Sequence, residues 1–224
     1  MVEVKENDLL FAKVKPNAII PTKEGEDAGR DVYACFDEDY IMIPPHTTKL
    51  IPTGIASAIS PKYEIRLRDR GSNGSKGIHV NAGTVDSGYR GEWFVAWCNT
   101  NGVPVVLSKL SVKELVEKYG HTDGDDIFLF FDSNKKPNVS KEIIDYFYYD
   151  EGLYIAYYDQ SDNVDESNSD TNLKVNAIIY PYEKAIAQAE ICEVPVMSQR
   201  EISYEELKQI PSKRGLGSLG SSRK

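Results

Sequence analysis

Two short segments of this chain combine positive charge, hydroxyl groups and glycine, which together suit phosphate binding. Residues 70–77 read RGSNGSKG, and residues 214–222 read RGLGSLGSS. Glycine lets a backbone approach a ligand closely and adopt positive φ, so that its N–H groups can face an anion. Neither segment has the spacing of a P-loop. The residues alone therefore also allow a plain surface turn at 70–77 and a frayed tail at 214–222.

A candidate catalytic carboxylate lies between these two segments. Asp86 follows the apolar Val85 and precedes the turn residues Ser87 and Gly88, with Tyr89 three positions further on. A carboxylate held at a strand end beside a phosphate site can orient and deprotonate a water molecule. An aspartate in a hairpin turn is also an ordinary turn residue. The segment by itself does not decide between these two hypotheses.

The elements that would position these residues are short strands. Apolar runs broken by turn residues predict many strands in a sandwich or barrel, rather than strands alternating with helices. These runs cover residues 9–14, 32–36, 41–45, 48–51, 54–59, 63–67 and 92–98, and strand-like sequence resumes at 173–180 and 185–196.

The centre of the chain has a different pattern. Residues 111–120 open with Ser-x-x-Glu and close with Gly, which predicts a capped helix, and residues 140–148 predict a second one. Residues 127–131 and 153–158 resemble strands, and the polar, acidic residues 161–170 predict a loop. Residues 101–172 contain 15 acidic and 6 basic residues, whereas the rest of the chain has 20 of each. We interpret residues 109–172 as an acidic α+β insertion.

Composition excludes several classes of protein. The chain has 224 residues, 41% of them hydrophobic and 27% charged, which is typical of a globular protein. A net charge of -9 argues against general nucleic-acid binding. No apolar run is long enough for a membrane span, and residues 1–8 lack a secretory signal, so a cytoplasmic protein is expected. The three cysteines are far apart and in apolar surroundings, which predicts reduced, buried thiols rather than disulfides or a zinc site.

Five segments resemble the motifs of the trimeric dUTPases and occur in that family's order. They are residues 28–34 (AGRDVYA), 68–72 (RDRGS), 82–92 (AGTVDSGYRGE), 185–188 (AIAQ) and 214–222 (RGLGSLGSS). The resemblance implies a mainly β protein with a jelly-roll-like β-barrel, assembled as a homotrimer whose active sites are shared between subunits. It assigns residues 1–108 and 173–212 to the core and residues 213–224 to a flexible arm that closes over the nucleotide.

The resemblance also implies a reaction and its residues. Asp86 would activate the water that attacks the α-phosphorus of dUTP, which releases dUMP and pyrophosphate. Tyr89 would lie under the deoxyribose and leave no room for a ribose 2′-hydroxyl. Mg²⁺ would bind mainly through the three phosphates, with Asp31 in an indirect role. The other substrate contacts implied are Arg70, Gly71, Ser72 and Gln188 for the phosphates, Asn81, Gly83, Thr84, Val85 and Phe94 for uracil, and Arg214, Leu219, Gly220 and Ser221 in the arm.

Five positions in three of the motifs depart from the family pattern. The second motif usually reads Pro-Arg-Ser-Gly or Pro-Arg-Ser-Ser, whereas this chain has Asp69 in place of Pro and reverses the order to Gly71-Ser72. Leu219 replaces the aromatic residue that stacks on uracil, which would cost about 1 kcal/mol. Ala185 stands where a basic residue is common.

The resemblance does not cover the insertion, and it leaves two alternative functions open. Some bacteriophage dUTPases carry extra segments at a similar place, and certain of them bind bacterial repressor proteins. A phage origin would place the protein in the host cytoplasm, and residues 109–172 could bind a repressor-like partner through tyrosines or use these aromatics as their own small core. The other alternative is dCTP deaminase chemistry on the related fold, which Tyr89 and the glycine-rich tail disfavour.

Overall fold

The computed structural model describes residues 3–123, 126–130, 155–159, 174–175 and 177–212. The chain divides into two compact units, Met1–Val194 and Pro195–Lys224. The predicted helix at residues 140–148, the predicted loop at 161–170 and the predicted arm at 213–224 lie outside the described residues. None of the helices in the described ranges has the length and apolar character needed to span a bilayer.

Within the described part of the first unit there are sixteen strands and two helices. The first eight strands are β1 (Leu9–Lys13), β2 (Arg30–Val32), β3 (Tyr40–Ile43), β4 (Thr48–Pro52), β5 (Ile55–Ile59), β6 (Tyr63–Arg68), β7 (Ile78–Asn81) and β8 (Thr84–Val85). The other eight are β9 (Phe94–Asn99), β10 (Val105–Ser108), β11 (Gly120–Asp123), β12 (Asp126–Phe130), β13 (Ile155–Asp159), β14 (Lys174–Val175), β15 (Ile178–Pro181) and β16 (Ala187–Glu193). Helix α1 (Gly71–Gly74) is a single turn, and α2 (Val112–Tyr119) has two turns.

Four sheets form the core, and one of them carries most of the candidate site. Its strand order is β2-β16-β6-β8, and all its pairings are antiparallel. The others have the orders β1-β5, β15-β10-β3 and β4-β9-β7. Strand β6 shows the alternation expected of a sheet with one buried face, because Ile65 and Leu67 are buried while Arg66 and Arg68 are exposed.

A single large hydrophobic cluster lies between these sheets. Trp93 and Trp97, the largest fully buried side chains, belong to it together with Phe36. The Trp97 ring meets Tyr180 edge to face at 5.0 Å, and its Nε1 donates to Ile186 O at 3.0 Å. Both the apolar ring and the polar N–H of this buried tryptophan are therefore satisfied.

The central insertion contains its own sheet, with the order β11-β12-β13-β14. It emerges from β10, and the chain returns as β15, which pairs with β10 in parallel. Parallel neighbours need a crossover connection, and the insertion supplies it. Helix α2 joins the insertion to the core through Leu115, which is fully buried in a second cluster with Met42 and Val106.

The predicted mainly β character and most of the predicted strands are confirmed. Helix α2 confirms the capped helix predicted at 111–120, and β12 and β13 confirm the two strands predicted in the insertion. Strands β7, β8, β10 and β11 lie outside the predicted runs because they are short and lack a clear alternation. The run predicted at 32–36 is wrong except at Val32, where β2 ends. The three cysteines are free, as predicted; Cys35 is buried, while Cys98 and Cys192 are partly exposed.

The second unit contains helix α3 (Tyr204–Gln209), which the strand pattern did not predict. Its start carries a capping box, in which Ser203 Oγ accepts from Glu206 N at 3.2 Å and Glu206 Oε2 accepts from Ser203 N at 2.8 Å. The sequence Ser-x-x-Glu therefore begins both α2 and α3.

Candidate functional site

Three residues from separate segments meet at the exposed face of the β2-β16-β6-β8 sheet. In the strand register Gln188 lies opposite both Asp31 and Arg68. Arg70 approaches Asp31 Oδ2 at 3.3 Å, and the Gln188 amide nitrogen lies 3.4 Å from Asp31 Oδ1. A Cβ at Gly29 would be only 3.0 Å from Gln188 Cβ, so the close approach of these strands favours glycine there. The first, second and fourth motifs therefore converge, and we call Asp31, Arg70 and Gln188 the polar cluster.

The glycine-rich segment at 70–77 begins with a helical turn rather than an open loop. Gly71 has negative φ and open space around its missing side chain, so the expectation that glycine supplies positive φ applies only to Gly77, at +69°. Two hydrogen bonds hold this turn against the two residues that precede β16. Arg70 Nη1 donates to Ala185 O at 3.3 Å, and Asn73 Nδ2 donates to Ile186 O at 3.1 Å. Ser72 is left exposed at the surface of the turn.

A pocket of about 220 Å³ lies beside the β6–β8 pair. Leu67 N donates to Gly83 O at 2.6 Å, and a Cβ at Gly83 would be 2.2 Å from Leu67 O. Only glycine fits this backbone approach. Four predicted site residues, Thr84, Val85, Tyr89 and Phe94, line the pocket together with Asp86.

The turn after β8 fixes the relative position of Asp86 and Tyr89. Tyr89 N donates to Asp86 O at 3.0 Å, and the Tyr89 hydroxyl donates to Glu92 O at 3.0 Å. A Cβ at Gly91 would be 2.4 Å from the Tyr89 hydroxyl oxygen, so the ring can fold back only over glycine. Asp86 remains exposed, and Tyr89 is 45% exposed. The arrangement presents a carboxylate and an aromatic ring to the same pocket.

Four pocket residues were absent from the predicted site. They are Leu67, Ala82, Glu92 and Trp93. Glu92 also accepts a hydrogen bond from Gly54 N through Oε1 at 2.7 Å, which ties the pocket to the turn between β4 and β5. Glu92 was accessible from the sequence because it ends the third motif, whereas the contribution of Leu67 depends on strand pairing.

The remaining predicted residues have different outcomes. Asn81 is exposed at the end of β7 and donates to Thr48 Oγ1 at 3.3 Å, so it is not among the pocket-lining residues. No hydrogen bond or ion pair within the described ranges joins the polar cluster to Asp86 or Tyr89. Four predicted residues of the arm, Arg214, Leu219, Gly220 and Ser221, lie outside the described residues.

The polar cluster offers one carboxylate, Asp31, to a magnesium ion that would arrive with phosphates. Where the structure describes the chain, it contains no group of three or more His, Cys, Asp or Glu side chains that could hold a metal. Asp31 offers one carboxylate beside the Gln188 amide. In nucleotide sites Mg²⁺ is usually held by one or two carboxylates, substrate phosphates and water. The residues fit that mode and do not form a protein-only cage.

Comparison with known sequences identifies dUTPase relatives. The sequence profile of the dUTPase family matches residues 15–111. The deoxyuridine 5'-triphosphate nucleotidohydrolase of Wolinella succinogenes is 34% identical over 131 residues, which cover 52% of this chain and 87% of that protein. The protein of the same name from Leptospira interrogans is 33% identical over 95 residues, covering 41% of this chain and 65% of that protein.

Solved structures of bacteriophage dUTPases share the fold. The Staphylococcus bacteriophage 80alpha dUTPase with dUPNHPP gives a TM-score of 0.57 at 20% identity, covering 97% of this chain and 99% of that chain. The dUTPase from phage phi11 of S. aureus, described as showing a species-specific insert, gives 0.51 at 16% identity, with 88% and 96% covered. A point mutant of the phi11 protein is described as coordinating a structural Mg(II) ion. These identities establish fold alone, and the predicted jelly-roll-like dUTPase fold is confirmed.

Proposed function

Since the chain belongs to the dUTPase family, we propose that it hydrolyses dUTP to dUMP and pyrophosphate in a magnesium-dependent reaction. The observation that carries the proposal is the pocket at the third motif. It presents the exposed carboxylate of Asp86 and the ring of Tyr89 from one turn, with Gly91 as the residue that lets the ring fold back. A general base beside a sugar-sized pocket is what hydrolysis of a nucleoside triphosphate requires.

In the proposed mechanism Asp86 removes a proton from a water molecule as the water oxygen bonds to the α-phosphorus. The bond between the α-phosphorus and the oxygen that bridges to the β-phosphorus breaks, and pyrophosphate leaves with that oxygen. The exposed position of Asp86 at the end of β8 gives a water access to the carboxylate. Tyr89 stacks under the deoxyribose, and its ring fills the space that a 2′-hydroxyl would need.

The polar cluster and its adjacent turn are the proposed phosphate site. Arg70 supplies positive charge, and Ser72, the Gly71 backbone and the Gln188 amide supply hydrogen bonds. Asp31 is the residue that would support Mg²⁺ there. When bound, the metal would neutralise phosphate charge and favour attack at the α-phosphorus.

The other proposed contacts concern the base and the closing arm. Asn81, Gly83, Thr84 and Val85 read the edge of uracil largely through backbone groups, with Phe94 beside the ring. Thr84, Val85 and Phe94 line the pocket, which supports this assignment, and the lack of a side chain at Gly83 keeps β8 close to β6. Arg214, Leu219, Gly220 and Ser221 would complete the site from the arm at 213–224.

We further propose a homotrimer with shared active sites. The polar cluster and the Asp86 pocket lie on the same sheet, yet no hydrogen bond or ion pair among the described residues connects them within one chain. A second copy that brings its pocket to this cluster would join catalytic base and phosphate site. Analytical ultracentrifugation should give three times the chain mass of 25.1 kDa.

A pyrophosphate-release assay with dUTP, UTP, dCTP and dTTP tests the activity. Hydrolysis of dUTP should far exceed that of the other three, and Asp86→Asn should lower kcat by at least about a hundredfold, as for loss of a general base. Full activity in Asp86→Asn would remove Asp86 from the mechanism. Formation of dUTP or dUMP from dCTP would instead support the dCTP deaminase alternative.

A second proposed function belongs to the insertion, residues 109–172, which would bind a repressor-like protein in the host cytoplasm. The observation that favours it is that the insertion has its own four-stranded sheet, joined to the core by α2. The structure of one Staphylococcus bacteriophage 80alpha dUTPase mutant is described as evidence that phage dUTPases control transfer of virulence genes by a G protein-like mechanism. The core assigned to residues 1–108 and 173–212 would carry the hydrolysis.

The structure refines the deletion that tests this second function. Removing residues 109–172 would also remove Leu115 and expose the cluster around Val106, so the shortened protein could fail for reasons unrelated to a partner. Replacing residues 124–173 with a flexible linker keeps α2 and the packing of Leu115 with Met42 and Val106, and it removes the contact of α2 with β12. Retained dUTP hydrolysis with loss of repressor binding would support the proposal, and retained binding would contradict it.

A further inference from the structure

We propose that Asp69 is a positioning residue that holds the phosphate-binding turn against strand β7. This inference rests on the proposed function and deepens it. Asp69 occupies the position where the family pattern has proline, immediately before Arg70. A residue that replaces a rigid proline needs another means of fixing the backbone, and the structure shows one.

Both oxygens of the Asp69 carboxylate are engaged by consecutive residues of β7. Oδ1 accepts a hydrogen bond from Val80 N at 2.5 Å, and Oδ2 lies 2.9 Å from His79 Nδ1. The carboxylate is 36% exposed and the His79 ring 41% exposed, so the pair lies at the edge of the core. The contact to the backbone N–H of Val80 sets the position of Asp69 relative to the sheet whatever the charge on His79.

The contact between Asp69 and β7 also restricts the position of the proposed phosphate site. Arg70 is the next residue and the N-cap of α1, with φ -75° and ψ 142°. Neighbouring Cα atoms are about 3.8 Å apart, so fixing Asp69 confines Arg70. The other side of the turn is held by Arg70 and Asn73 on the carbonyls of Ala185 and Ile186. The turn is therefore clamped between β7 and the start of β16.

The orientation of the carboxylate distinguishes this role from direct binding. Arg70 pairs with Asp31 inside the polar cluster, whereas the Asp69 carboxylate is engaged by His79 and Val80 of β7. Asp69 should therefore affect a ligand only through the phosphates that the turn binds. The affinity for a ligand without phosphates should not change when Asp69 is replaced.

The test compares two ligands by calorimetry, the non-hydrolysable analogue dUpNHpp and the nucleoside deoxyuridine. Asp69→Ala should lower the affinity for the analogue by about tenfold, which corresponds to about 1.4 kcal/mol of binding free energy. The affinity for deoxyuridine should not change. Asp69→Asn keeps an oxygen for Val80 N and should restore most of the affinity. The matched control is Asp39→Ala, which removes a carboxylate bonded to Lys118 and Tyr119 at the base of the insertion and should change neither affinity.

Several outcomes overturn the inference. If Asp69→Ala lowers the affinity for both ligands equally, or for neither, a role confined to the phosphates is contradicted. Failure of Asp69→Asn to restore the affinity for the analogue would contradict it as well. If Asp69→Ala does not fold in a thermal unfolding check, Asp69→Leu, a side chain of similar size that accepts no hydrogen bond from Val80 N, takes its place, and unchanged analogue affinity in Asp69→Leu would reject the role. Hydrolysis of dUTP by the wild-type protein tests the proposed function separately. If the wild type neither hydrolyses dUTP nor binds the analogue, both proposals fail together.

Discussion

At the scale of single residues, the site depends on glycines that keep two backbones or a ring in close contact. Gly83 lets β8 approach Leu67, and Gly91 lets Tyr89 fold back. Gly88, between them in sequence, has no atom within 4 Å of where a Cβ would be. The three glycines look alike in the motif, and only the packing around each one shows which are required.

Gly91→Ala should weaken sugar discrimination. The added methyl would lie 2.4 Å from the Tyr89 hydroxyl oxygen, so the ring must leave its bond to Glu92 O. We expect the ratio of kcat/KM for dUTP over UTP to fall by at least about tenfold, which corresponds to about 1.4 kcal/mol of transition-state discrimination. Gly88→Ala is the control and should leave the ratio unchanged. If the ratio is unaltered in Gly91→Ala, Tyr89 does not discriminate between deoxyribose and ribose.

Gly83→Ala should lower stability. Its methyl would lie 2.2 Å from a backbone oxygen, which cannot rotate away, so strands β6 and β8 must separate. Overpacking of this kind typically costs about 1–3 kcal/mol. Urea unfolding followed by tryptophan fluorescence measures the change, since Trp93 and Trp97 are buried in the core. Gly71→Ala, which has open space, should shift the midpoint little, and a comparable loss there would contradict the steric argument.

At the scale of elements, helix α2 is the connection between core and insertion, and its polar contacts depend on charge. The Asp39 carboxylate accepts hydrogen bonds from Lys118 Nζ and from the Tyr119 hydroxyl, which lower the pKa of Asp39. The bond from the Ser111 backbone N–H, and then that from its hydroxyl, likewise lowers the pKa of Glu114 at the helix start. Burial of Leu115 provides the apolar part of the same attachment.

Helix α2 should detach in acid before the core unfolds. A carboxyl whose pKa is lowered by folding contributes stability above its unfolded pKa of about 4, and this contribution disappears as the pH falls below that value. The hydrogen bond to Asp39 raises the pKa of Lys118, so the contribution of Lys118 to stability is present up to about pH 10 and is not lost in acid. Amide protection of Val112–Tyr119, corrected for intrinsic exchange, should therefore be retained at about pH 6 and fall as the pH drops below about 4. Asp39→Asn should show a smaller fall, due to Glu114 alone, and an equal fall would reject the role of Asp39.

At the scale of the whole molecule, one continuous core supports both parts of the candidate site. Cys35 is fully buried within it, next to Gly54, where a Cβ would be 2.8 Å from the thiol sulfur. Burial raises the pKa of Cys35, and its Sγ donates to Asn17 Oδ1 at 3.2 Å. The thiol therefore reports on core integrity.

Native thiol labelling should discriminate the three cysteines. Cys98 and Cys192 are partly exposed and should react with iodoacetamide, whereas Cys35 should react only after denaturation, because the reactive thiolate is disfavoured by burial. Peptide mass spectrometry after labelling with and without urea gives the measurement. Rapid native labelling of Cys35 would show that the sheets open around it.

The sequence by itself determined the chemistry and the family. The residue types of the third motif predicted a base at Asp86 and a sugar-facing ring at Tyr89, and these predictions use only local sequence. Runs with alternating apolar residues likewise predicted most of the strands. The sequence did not determine the short strands β7 and β8, because strands of this length are stabilised mainly by their partners β9 and β6.

Only the tertiary structure decided how distant residues meet. Asp31, Arg70 and Gln188 come from three separate segments of the chain; strand register brings Asp31 and Gln188 together, and the turn after β6 brings Arg70 to them. The same holds for Asp69, a departure from the motif whose proposed positioning role rests on its contact with β7. Hydrogen-bond partners across a sheet follow from the packing of its buried face, which no short segment encodes. The Asp86 segment thus identifies the chemistry, and the folded core decides which residues assist it.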